Sequence, residues 1–255
     1  MLKEIRWQKI QEIVHKRANA KVSELAEQFG VSQMTIRRDL QALHEKGLIE
    51  RMHGGASLTT NHNLLQSPVL LRLYEQAAEK QAIARAVARM ITLGEKIYIA
   101  AGSTTYWLAK AIVSRSDLTV VTNSLPIANL LAFTDEMEVI LVGGFLRRRE
   151  YSLVGHFAEN MIRDLRLDKV IMGIGGIHPE HGLTNQYPEE MMMDRAYMNI
   201  SDHIIVLADH TKFGHVATSR TAEVTGAHTI VTSRQAPADI VERIRQQGVE
   251  IILVE

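Results

Sequence analysis

The sequence predicts two domains of different fold class: an α+β domain over residues 1–57 and an α/β domain with a mostly parallel sheet over residues 75–255. Two observations lead to this prediction. The first part has helical patterns followed by one glycine-punctuated strand segment, whereas the second alternates short β-branched runs with helical patterns. Residues 58–74 lie between them and contain Thr, Asn and Ser residues followed by Pro68, so we expect a linker there.

Composition argues against several classes of protein. Apolar residues make up 46% and charged residues 23% of the 255 residues, which is ordinary for a globular chain and not for a disordered or fibrous one. No apolar run approaches the ~18–20 residues of a membrane helix, and the N-terminus lacks the apolar stretch of a secretory signal. Cysteine is absent, which fits a reducing compartment. We therefore expect a cytoplasmic protein without a membrane partner.

The formal net charge of zero conceals an asymmetry along the chain. Residues 1–57 hold ten Lys/Arg and seven Asp/Glu, and residues 58–255 hold the remaining 19 and 22. The first domain is therefore modestly basic and the second mildly acidic. This distribution suits a nucleic-acid-binding domain joined to a larger domain with another task.

The first domain has the element order of a winged helix-turn-helix. Three segments have apolar residues at helical spacing: residues 2–18, 22–29 and 33–46. Gly30 supplies the turn between the second and third helices, Ser32 is a good N-cap, and Gly47 ends the third helix. Residues 48–56 then predict a strand followed by a glycine turn.

The third helix has two faces of opposite character. Three aliphatic residues follow i, i+4, i+7 spacing and should face the domain core: Ile36, Leu40 and Leu43. Since successive residues turn by about 100°, Met34, Arg37, Arg38 and Gln41 cluster on the other side. A recognition helix needs this arrangement, because its exposed Arg and Gln side chains read guanine and adenine edges.

The candidate DNA-binding residues lie on the third helix and the hairpin. Arg51 and the glycine turn would let the hairpin touch the adjacent phosphate backbone, and the first helical turn offers N–H groups to a phosphate. The full set is Gln33, Met34, Thr35, Arg37, Arg38, Gln41, Arg51, His53, Gly54 and Gly55. The alternative is that Arg37 and Arg38 form a solvated surface and pair with Asp39 or Glu45.

The second domain begins with a predicted helix over residues 75–91 and continues as βα units. Seven short β-branched runs predict its strands: residues 96–101, 118–122, 139–142, 169–174, 203–208, 229–232 and 249–254. In open α/β sheets, ligands bind outside the carboxyl ends of the strands. The residues that follow these strands are therefore the candidate ligand-binding groups.

Small, polar and charged residues follow several of these strands. The loop Gly102–Thr105 precedes a helix, so its N–H groups and hydroxyls can hold a phosphate. Lys212 could bind a phosphate and Asp209 could accept sugar hydroxyls, although a surface lysine and a turn cap are the alternatives. The candidate effector-binding residues are Gly102, Ser103, Thr104, Thr105, Asn123, Ser124, Gly143, Gly144, Gly175, Asp209 and Lys212.

The eleven histidines raise the question of a metal site. His178 and His181 have a His-x-x-His spacing, but Pro179 beside them argues for a loop in which the two rings are not presented together. We expect no metal site.

Two blocks of the first domain resemble a known family. The sequence V-S-E-L-A-E-Q-F-G-V-S-Q-M-T-I-R-R-D-L over residues 22–40 and the H-G-G-A block at residues 53–56 resemble the helix-turn-helix signature of the DeoR family of bacterial regulators. The resemblance spans nearly the whole chain. It implies a transcriptional regulator, usually a repressor of carbohydrate-metabolism genes, that binds a double-stranded DNA operator as a homodimer or homotetramer. It favours DNA contact for Arg37 and Arg38.

The resemblance also implies a role for the second domain. The DeoR-family sensor domain is similar to ribose-5-phosphate isomerase, in which a Gly-Ser-Thr loop holds phosphate and an Asp-x-x-Lys segment lines the sugar site. Gly102–Thr105 and Asp209 with Lys212 match these segments, so a phosphorylated sugar is the implied effector. The chain departs from the family pattern at Ala100, where Asp is common, and at Asp194-Arg195, where Lys-Arg is common.

Two other functions compete with that of a ligand-controlled regulator. An isomerase needs a general base, and the acidic segment of the resembled isomerase is replaced here by residues 173–177, which contain no carboxylate. We therefore expect neither catalytic residues nor a cofactor. A DNA-binding protein whose second domain only oligomerises is the remaining alternative.

Overall fold

The computed structural model describes residues 6, 7, 9, 10, 13, 14, 19–45, 49–52, 54–57, 69–132, 134 and 137–255. The chain divides into two compact units, Met1–Leu64 and Leu65–Glu255. Within the described ranges, none of the helices has the length and apolar character needed to cross a bilayer.

The N-terminal unit contains the predicted helices and hairpin. The described residues between 6 and 14 are helical, and α1 (Val22–Phe29) and α2 (Gln33–Glu45) follow. Gly30 ends α1 in the left-handed conformation with φ 62°. The hairpin consists of β2 (Glu50–Met52) and β3 (Gly55–Ser57). A third strand, β1 (Asn19–Lys21), pairs with β3 and was not predicted, because three residues are too few to show a strand pattern.

The core of this unit confirms the predicted inner face of α2. Its buried aliphatic residues include Ile10, Val14, Leu25, Ile36, Leu40, Leu43 and Ile49. Asp39 is also buried, and its carboxylate accepts hydrogen bonds from Arg6 Nε at 2.6 Å and from Trp7 Nε1 at 2.7 Å. This contact joins α2 to the first helical segment, so the inner face of α2 is held by a polar anchor as well as by apolar packing.

The C-terminal unit is built on a seven-stranded parallel sheet, which confirms the predicted fold class. The strands are β4 (Lys96–Ile99), β5 (Thr119–Thr122), β6 (Glu138–Leu141), β9 (Lys169–Gly173), β12 (Ile204–Leu207), β14 (Thr229–Ser233) and β15 (Glu250–Val254). Their order is β15-β14-β12-β9-β4-β5-β6, and all neighbouring pairs are parallel. Each strand overlaps one of the seven predicted runs.

Helices cover both faces of this sheet. They are α3 (Val69–Arg72), α4 (Ala77–Ala88), α5 (Ser103–Ala111), α6 (Leu125–Leu131), α7 (His156–Arg163), α8 (Pro188–Met198) and α9 (Ala238–Arg245). Successive strand residues face opposite clusters: Ile97 and Ile99 belong to the apolar cluster under α4–α6, whereas Tyr98 belongs to the one under α7–α9. The unit therefore has the two-sided core that a parallel sheet requires.

Residues 69–72 differ from the prediction that placed them in a linker. They form the short helix α3, in which Val69 and Leu71 are buried. Val69 N also donates a hydrogen bond to Arg149 O at 3.1 Å. Burial of these two side chains and this backbone contact order the segment, although Pro68 precedes it.

Two small β elements were not predicted from the sequence. Strands β7 (Phe145–Arg147) and β8 (Ser152–Val154) form a hairpin. Strands β10 (Gly176–His178), β11 (Gly182–Asn185) and β13 (Ser219–Ala222) form a separate antiparallel sheet. All are three or four residues long and mix polar with apolar residues, so they lack the β-branched runs that marked the central strands.

Candidate functional site

The exposed face of α2 carries the residues predicted to contact DNA. Met34 is 59% exposed, and Arg37 and Arg38 are exposed on the same surface. The alternative prediction was an ion pair between these arginines and Asp39 or Glu45. Asp39 does not form it, because its side chain is buried and hydrogen-bonded to Arg6 and Trp7. Among the described side chains, neither arginine has an ion-pair partner.

The start of α2 is capped as the sequence predicts. Ser32 Oγ accepts a hydrogen bond from Thr35 N at 3.2 Å and lies 2.9 Å from Thr35 Oγ1. The Thr35 hydroxyl is half-buried and engaged in this cap, whereas Gln33 is exposed. Thr35 thus has a structural task in addition to the DNA contact predicted for it.

The hairpin lies beside α2. Arg51 Nη1 donates a hydrogen bond to Gln41 Oε1 at 2.6 Å, and Arg37 lines the cleft between the two elements. Gln41 and Arg51 are therefore positioned on one surface with the two arginines of α2. The predicted contribution of His53 falls outside the described residues.

Glycine is required at the two positions of the hairpin turn for different physical reasons. Gly54 is exposed and has φ +86°, a conformation that L side chains rarely adopt. Gly55 was predicted to allow close approach to DNA, but it is buried, and a Cβ there would lie 2.3 Å from Ala20 O. The close approach that Gly55 permits is therefore that of β1 to β3.

The C-terminal unit contains a cavity at the carboxyl ends of its central strands. Ala101, Asn123, Gly173 and Ala208, which end or follow β4, β5, β9 and β12, line it. The β7–β8 segment, β11 and α8 complete the wall. The cavity thus lies where parallel α/β sheets bind their ligands.

The structure brings six of the predicted effector-binding residues together. The residues that line the cavity are Gly102, Ser103, Thr104, Asn123, Gly175 and Lys212. Gly102 is the N-cap of α5, so Ser103 and Thr104 lie in its first turn. Asn123 is held by its own bonds, since its Oδ1 accepts from Ala101 N at 3.1 Å and its Nδ2 donates to Leu153 O at 3.1 Å.

Five predicted residues do not line the cavity: Thr105, Ser124, Gly143, Gly144 and Asp209. Two of them use their hydroxyls for local structure. Thr105 Oγ1 donates to Gly102 O at 3.1 Å, and Ser124 Oγ caps α6 by accepting from Ile127 N at 3.4 Å. Both threonine and serine were correctly placed after a strand, but their side chains turn into the helix that follows.

The other three also have structural explanations. A Cβ at Gly144, where φ is +155°, would lie 2.7 Å from Val154 O, so this glycine allows β7 and β8 to approach, and Gly143 is exposed away from the cavity. Asp209 is buried, accepts a hydrogen bond from Thr211 N at 3.1 Å and lies 3.8 Å from Lys80 Nζ. The turn-cap alternative therefore describes Asp209.

Several cavity residues were not predicted. They come from α3, the β7–β8 segment, β11, α8 and the loop before β13, and include Arg72, Arg147, Glu150, Ser152, Asn185, Glu190, Tyr197 and His215. Asp194, noted only as a departure from the family pattern, lines the cavity as well. Their elements lie outside the central parallel sheet, so the ends of its strands could not point to them.

Several residues that line this cavity have buried polar atoms without hydrogen-bond partners. Among the described side chains, five buried N or O atoms have no hydrogen-bond partner, and three of these, Arg72 Nε, Ser152 Oγ and His215 Nε2, belong to cavity-lining residues. Buried polar groups are normally satisfied. The cavity is thus equipped for a polar molecule.

Asp194 is the centre of a buried polar network. Asn185 Nδ2 and the Tyr197 hydroxyl donate hydrogen bonds to its carboxylate, and Thr221 Oγ1 donates a longer one of 3.4 Å. Asn185 Oδ1 accepts from Gly175 N at 2.8 Å, which links the network to the end of β9. Burial raises the pKa of Asp194 to about 7, and the three hydrogen bonds only partly oppose this rise.

Two lysines, Lys80 and Lys212, interact with Asp209. Burial lowers the pKa of Lys80 to about 8, against the attraction of Asp209. Burial also lowers the pKa of Lys212, again opposed by Asp209. Burial alone would raise the pKa of Asp209, but Lys212, Lys80 and the hydrogen bonds from Thr211 together outweigh it, so this pKa is below the usual range.

One group of potential metal ligands lies away from the cavity, namely His178, Glu180 and His181. His178 Nδ1 accepts hydrogen bonds from the N–H groups of Glu180 and His181 at 3.2 and 3.3 Å, and Glu180 pairs with Arg243 at 2.6 Å. Because Nδ1 is an acceptor, neutral His178 carries its proton on Nε2, and neither nitrogen offers a free lone pair. The rings of His178 and His181 nevertheless lie together, with centroids 4.7 Å apart, so the expectation that this loop does not present them together is wrong.

A basic helix-turn-helix unit together with a polar cavity in an α/β unit defines the class of ligand-responsive DNA-binding regulators. Comparison with known families agrees. Residues 6–62 match the DeoR-like helix-turn-helix domain and residues 75–234 match the DeoR C terminal sensor domain. The chain belongs to the DeoR family: it is a DNA-binding transcriptional repressor and not an enzyme.

Named relatives are similar over nearly the whole chain. The glycerol-3-phosphate regulon repressor of Escherichia coli (strain K12) is 34% identical over 242 residues, which is 95% of each chain. The transcriptional repressor AccR of Agrobacterium fabrum is 35% identical over 248 residues, 96% of each chain. Among solved structures, ribose 5-phosphate isomerase A from Neisseria gonorrhoeae aligns with 52% of each chain at 18% identity and a TM-score of 0.38.

Proposed function

We propose that this repressor controls genes of carbohydrate metabolism and that a phosphorylated sugar in the cavity of the C-terminal unit regulates its hold on the operator. The observation that supports this most is that Arg72, Ser152 and His215, which all line one cavity, each have a buried polar atom without a hydrogen-bond partner. Each such atom costs about 1–3 kcal/mol when left unsatisfied. A polyhydroxylated anion would satisfy several of them at once.

The phosphate is assigned to the start of α5. Ser103 and Thr104 offer hydroxyls and first-turn N–H groups, and the helix dipole favours an anion there. Lys212 lines the same cavity and adds a positive charge. One relative is named for a glycerol-3-phosphate regulon, and this name is consistent with a phosphorylated effector.

The operator is assigned to the exposed face of α2 and the adjoining hairpin. Arg37 and Arg38 supply guanidinium groups for base edges and phosphates, and Gln41 and Arg51 lie on the same surface. Because an operator on bacterial DNA lies in the cytoplasm, we propose that the protein works there.

Self-association completes the proposal, because a helix-turn-helix protein reads two half-sites about one DNA turn apart as a dimer. An apolar surface suited to a second copy lies on the β7–β8 hairpin and α7. Phe145, Leu146, Phe157 and Met161 are 59%, 48%, 60% and 45% exposed, and the rings of Phe145 and Phe157 lie 5.8 Å apart. A dimer or tetramer that becomes monomeric in Phe157→Asp, measured by analytical ultracentrifugation, would support this surface; an unchanged assembly would reject it.

The regulatory proposal is tested by gel shift on the DNA upstream of the protein's own gene. We expect a specific complex that one of a panel of sugar phosphates weakens or strengthens at least tenfold. Loss of the response in Lys212→Met, with unchanged ligand-free DNA binding, would assign the effect to the cavity. Failure to retain any duplex at low salt, or catalytic turnover of ribose 5-phosphate, would overturn the proposed function.

A further inference from the structure

The charged residues of the cavity are paired unevenly. Six residues with full charges line it: Arg72, Arg147, Lys212, Glu150, Glu190 and Asp194. Arg72 pairs with Glu150, and Arg147 pairs with Glu190 at 2.8 Å. Among the described residues, Lys212 and Asp194 have no partner of opposite charge within ion-pair distance. The cavity therefore presents one cation and one anion that form no ion pair.

The surroundings of Asp194 do not neutralise its carboxylate. Its three hydrogen-bond donors, on Asn185, Tyr197 and Thr221, are all uncharged. The nearby Glu190 adds a like charge that raises the pKa of Asp194 further. A buried carboxylate without a cation is costly, and hydrogen bonds from neutral groups offset only part of the cost.

Lys212 is attracted by Asp209 but forms no ion pair with it. The nearest acidic residue along the chain, Asp209, is engaged by Lys80 at 3.8 Å and by Thr211 N at 3.1 Å. Lys212 lines the cavity together with Ser103 and Thr104 at the start of α5, where a phosphate would be bound. An anionic group of the ligand thus compensates Lys212 and leaves Asp194 to be compensated by another part of the same molecule.

We propose that the effector carries a protonated amine as well as a phosphate, and is a phosphorylated amino sugar whose ammonium group pairs with Asp194. This inference rests on the proposed function, because it takes the phosphate to lie at α5 and Lys212. An ammonium group donates hydrogen bonds to the remaining lone pairs of the carboxylate and cancels its charge. A hydroxyl in the same position donates a hydrogen bond but leaves the charge in place.

Two ligands that differ in one substituent test the inference. Glucosamine 6-phosphate has an ammonium group where glucose 6-phosphate has a hydroxyl. In calorimetric titrations of the full chain, we expect glucosamine 6-phosphate to bind at least tenfold more tightly. Equal affinity, or tighter binding of glucose 6-phosphate, would overturn the inference whatever the behaviour of any variant.

A matched pair of variants locates the effect. Asp194→Asn removes the charge with little change in shape, and we expect it to reduce the preference for the amine to less than threefold. Asp239→Asn removes a charge from an exposed position on α9 and should leave the preference unchanged. A preference that survives in Asp194→Asn would show that another group binds the amine.

The failure of this inference can be separated from that of the proposed function. If glucose 6-phosphate or glycerol 3-phosphate binds the cavity and alters the operator complex while the amine gives no advantage, only the amine assignment is lost. If no sugar phosphate of either kind binds, both proposals fail.

Discussion

Arg72 and Glu150 form an ion pair that joins α3 to the β7–β8 segment across 78 positions of the chain, and both line the cavity. Two further contacts fix α3 in place, since Val69 N donates to Arg149 O at 3.1 Å and Lys80 Nζ donates to Arg72 O at 2.5 Å. In sequence, α3 follows residues 58–68 and the DNA-binding unit. A ligand that draws Arg72 away from Glu150 therefore acts at the point where the chain enters the sensor unit.

Breaking this pair from one side should destabilise the C-terminal unit. Arg72→Met leaves the Glu150 carboxylate buried without its cation, which costs about 3–5 kcal/mol of unfolding free energy. Urea titration followed by fluorescence measures the loss. The double variant Arg72→Met/Glu150→Gln has no uncompensated charge and should recover most of it. If the single variant is as stable as the parent chain, the pair does not hold α3.

Operator affinity should depend on Arg37. Removing a guanidinium that reads a base costs about 1–3 kcal/mol of binding, so Arg37→Ala should weaken the specific complex roughly 5- to 150-fold at constant salt. Arg85→Ala, at an exposed position on α4 of the other unit, is the matched control and should leave affinity unchanged. Parent-like affinity of Arg37→Ala in a gel-shift titration would remove Arg37 from base recognition.

Neighbouring threonines at the start of α5 should respond differently to the loss of a hydroxyl. Thr104 lines the cavity, whereas Thr105 Oγ1 is bonded to Gly102 O. Thr104→Val should weaken binding of the sugar phosphate by about tenfold, the equivalent of one good hydrogen bond to an anion. Thr105→Val should lower stability and change ligand affinity little. Calorimetric titration compares the two, and a larger affinity loss in Thr105→Val would contradict the phosphate assignment.

The protein should become less stable as the pH rises, because of Asp194. Its pKa is about 7 in the fold, against an ordinary value of 3.8. The folded state therefore holds a proton that the unfolded chain releases, and its contribution is full below pH 3.8 and is lost as the pH rises through 7. The loss amounts to about 4 kcal/mol at most. In denaturant titrations from pH 4 to 8, the parent chain should lose unfolding free energy relative to Asp194→Asn as the pH rises. If the difference in unfolding free energy between the two proteins does not change with pH, Asp194 does not have this raised pKa.

The two glycines of the hairpin turn should not be equivalent. A Cβ at Gly55 meets Ala20 O at 2.3 Å, a backbone atom that cannot move without disturbing the pairing of β1 with β3, whereas a Cβ at Gly54 meets nothing within 4 Å. Gly54→Ala carries only the strain of positive φ, about 1–2 kcal/mol. Gly55→Ala should cost more and lower the melting temperature of the N-terminal unit further. The opposite order would exclude the steric explanation.

Much of the fold could be predicted because it depends on long-range regularities in the sequence. The inner face of α2 follows the helical period of Ile36, Leu40 and Leu43, and all seven central strands have β-branched runs. The strand-end rule then led to Asn123, Gly175 and the Gly102–Thr104 loop.

The rest of the site could not be predicted because it depends on tertiary contacts of short elements. Arg72 was assigned to a linker, and Ser152 lies on a three-residue strand. Asp209 follows a strand as predicted, but its side chain caps the next turn. Whether a polar residue after a strand points to the ligand or closes its own turn is decided by local geometry that residue type does not reveal.

The cavity wall is built from two kinds of element, and this difference affects how the ligand specificity of such regulators can change. The floor consists of strand ends that the whole sheet keeps in place, whereas Arg147, Glu150 and Ser152 belong to a small hairpin and Asn185 to a minor sheet. Exchanges in those appendages would alter the metabolite that is sensed without disturbing the framework. If the proposed phosphate site at the start of α5 is correct, new specificities can arise by replacing a few peripheral side chains while that site is kept.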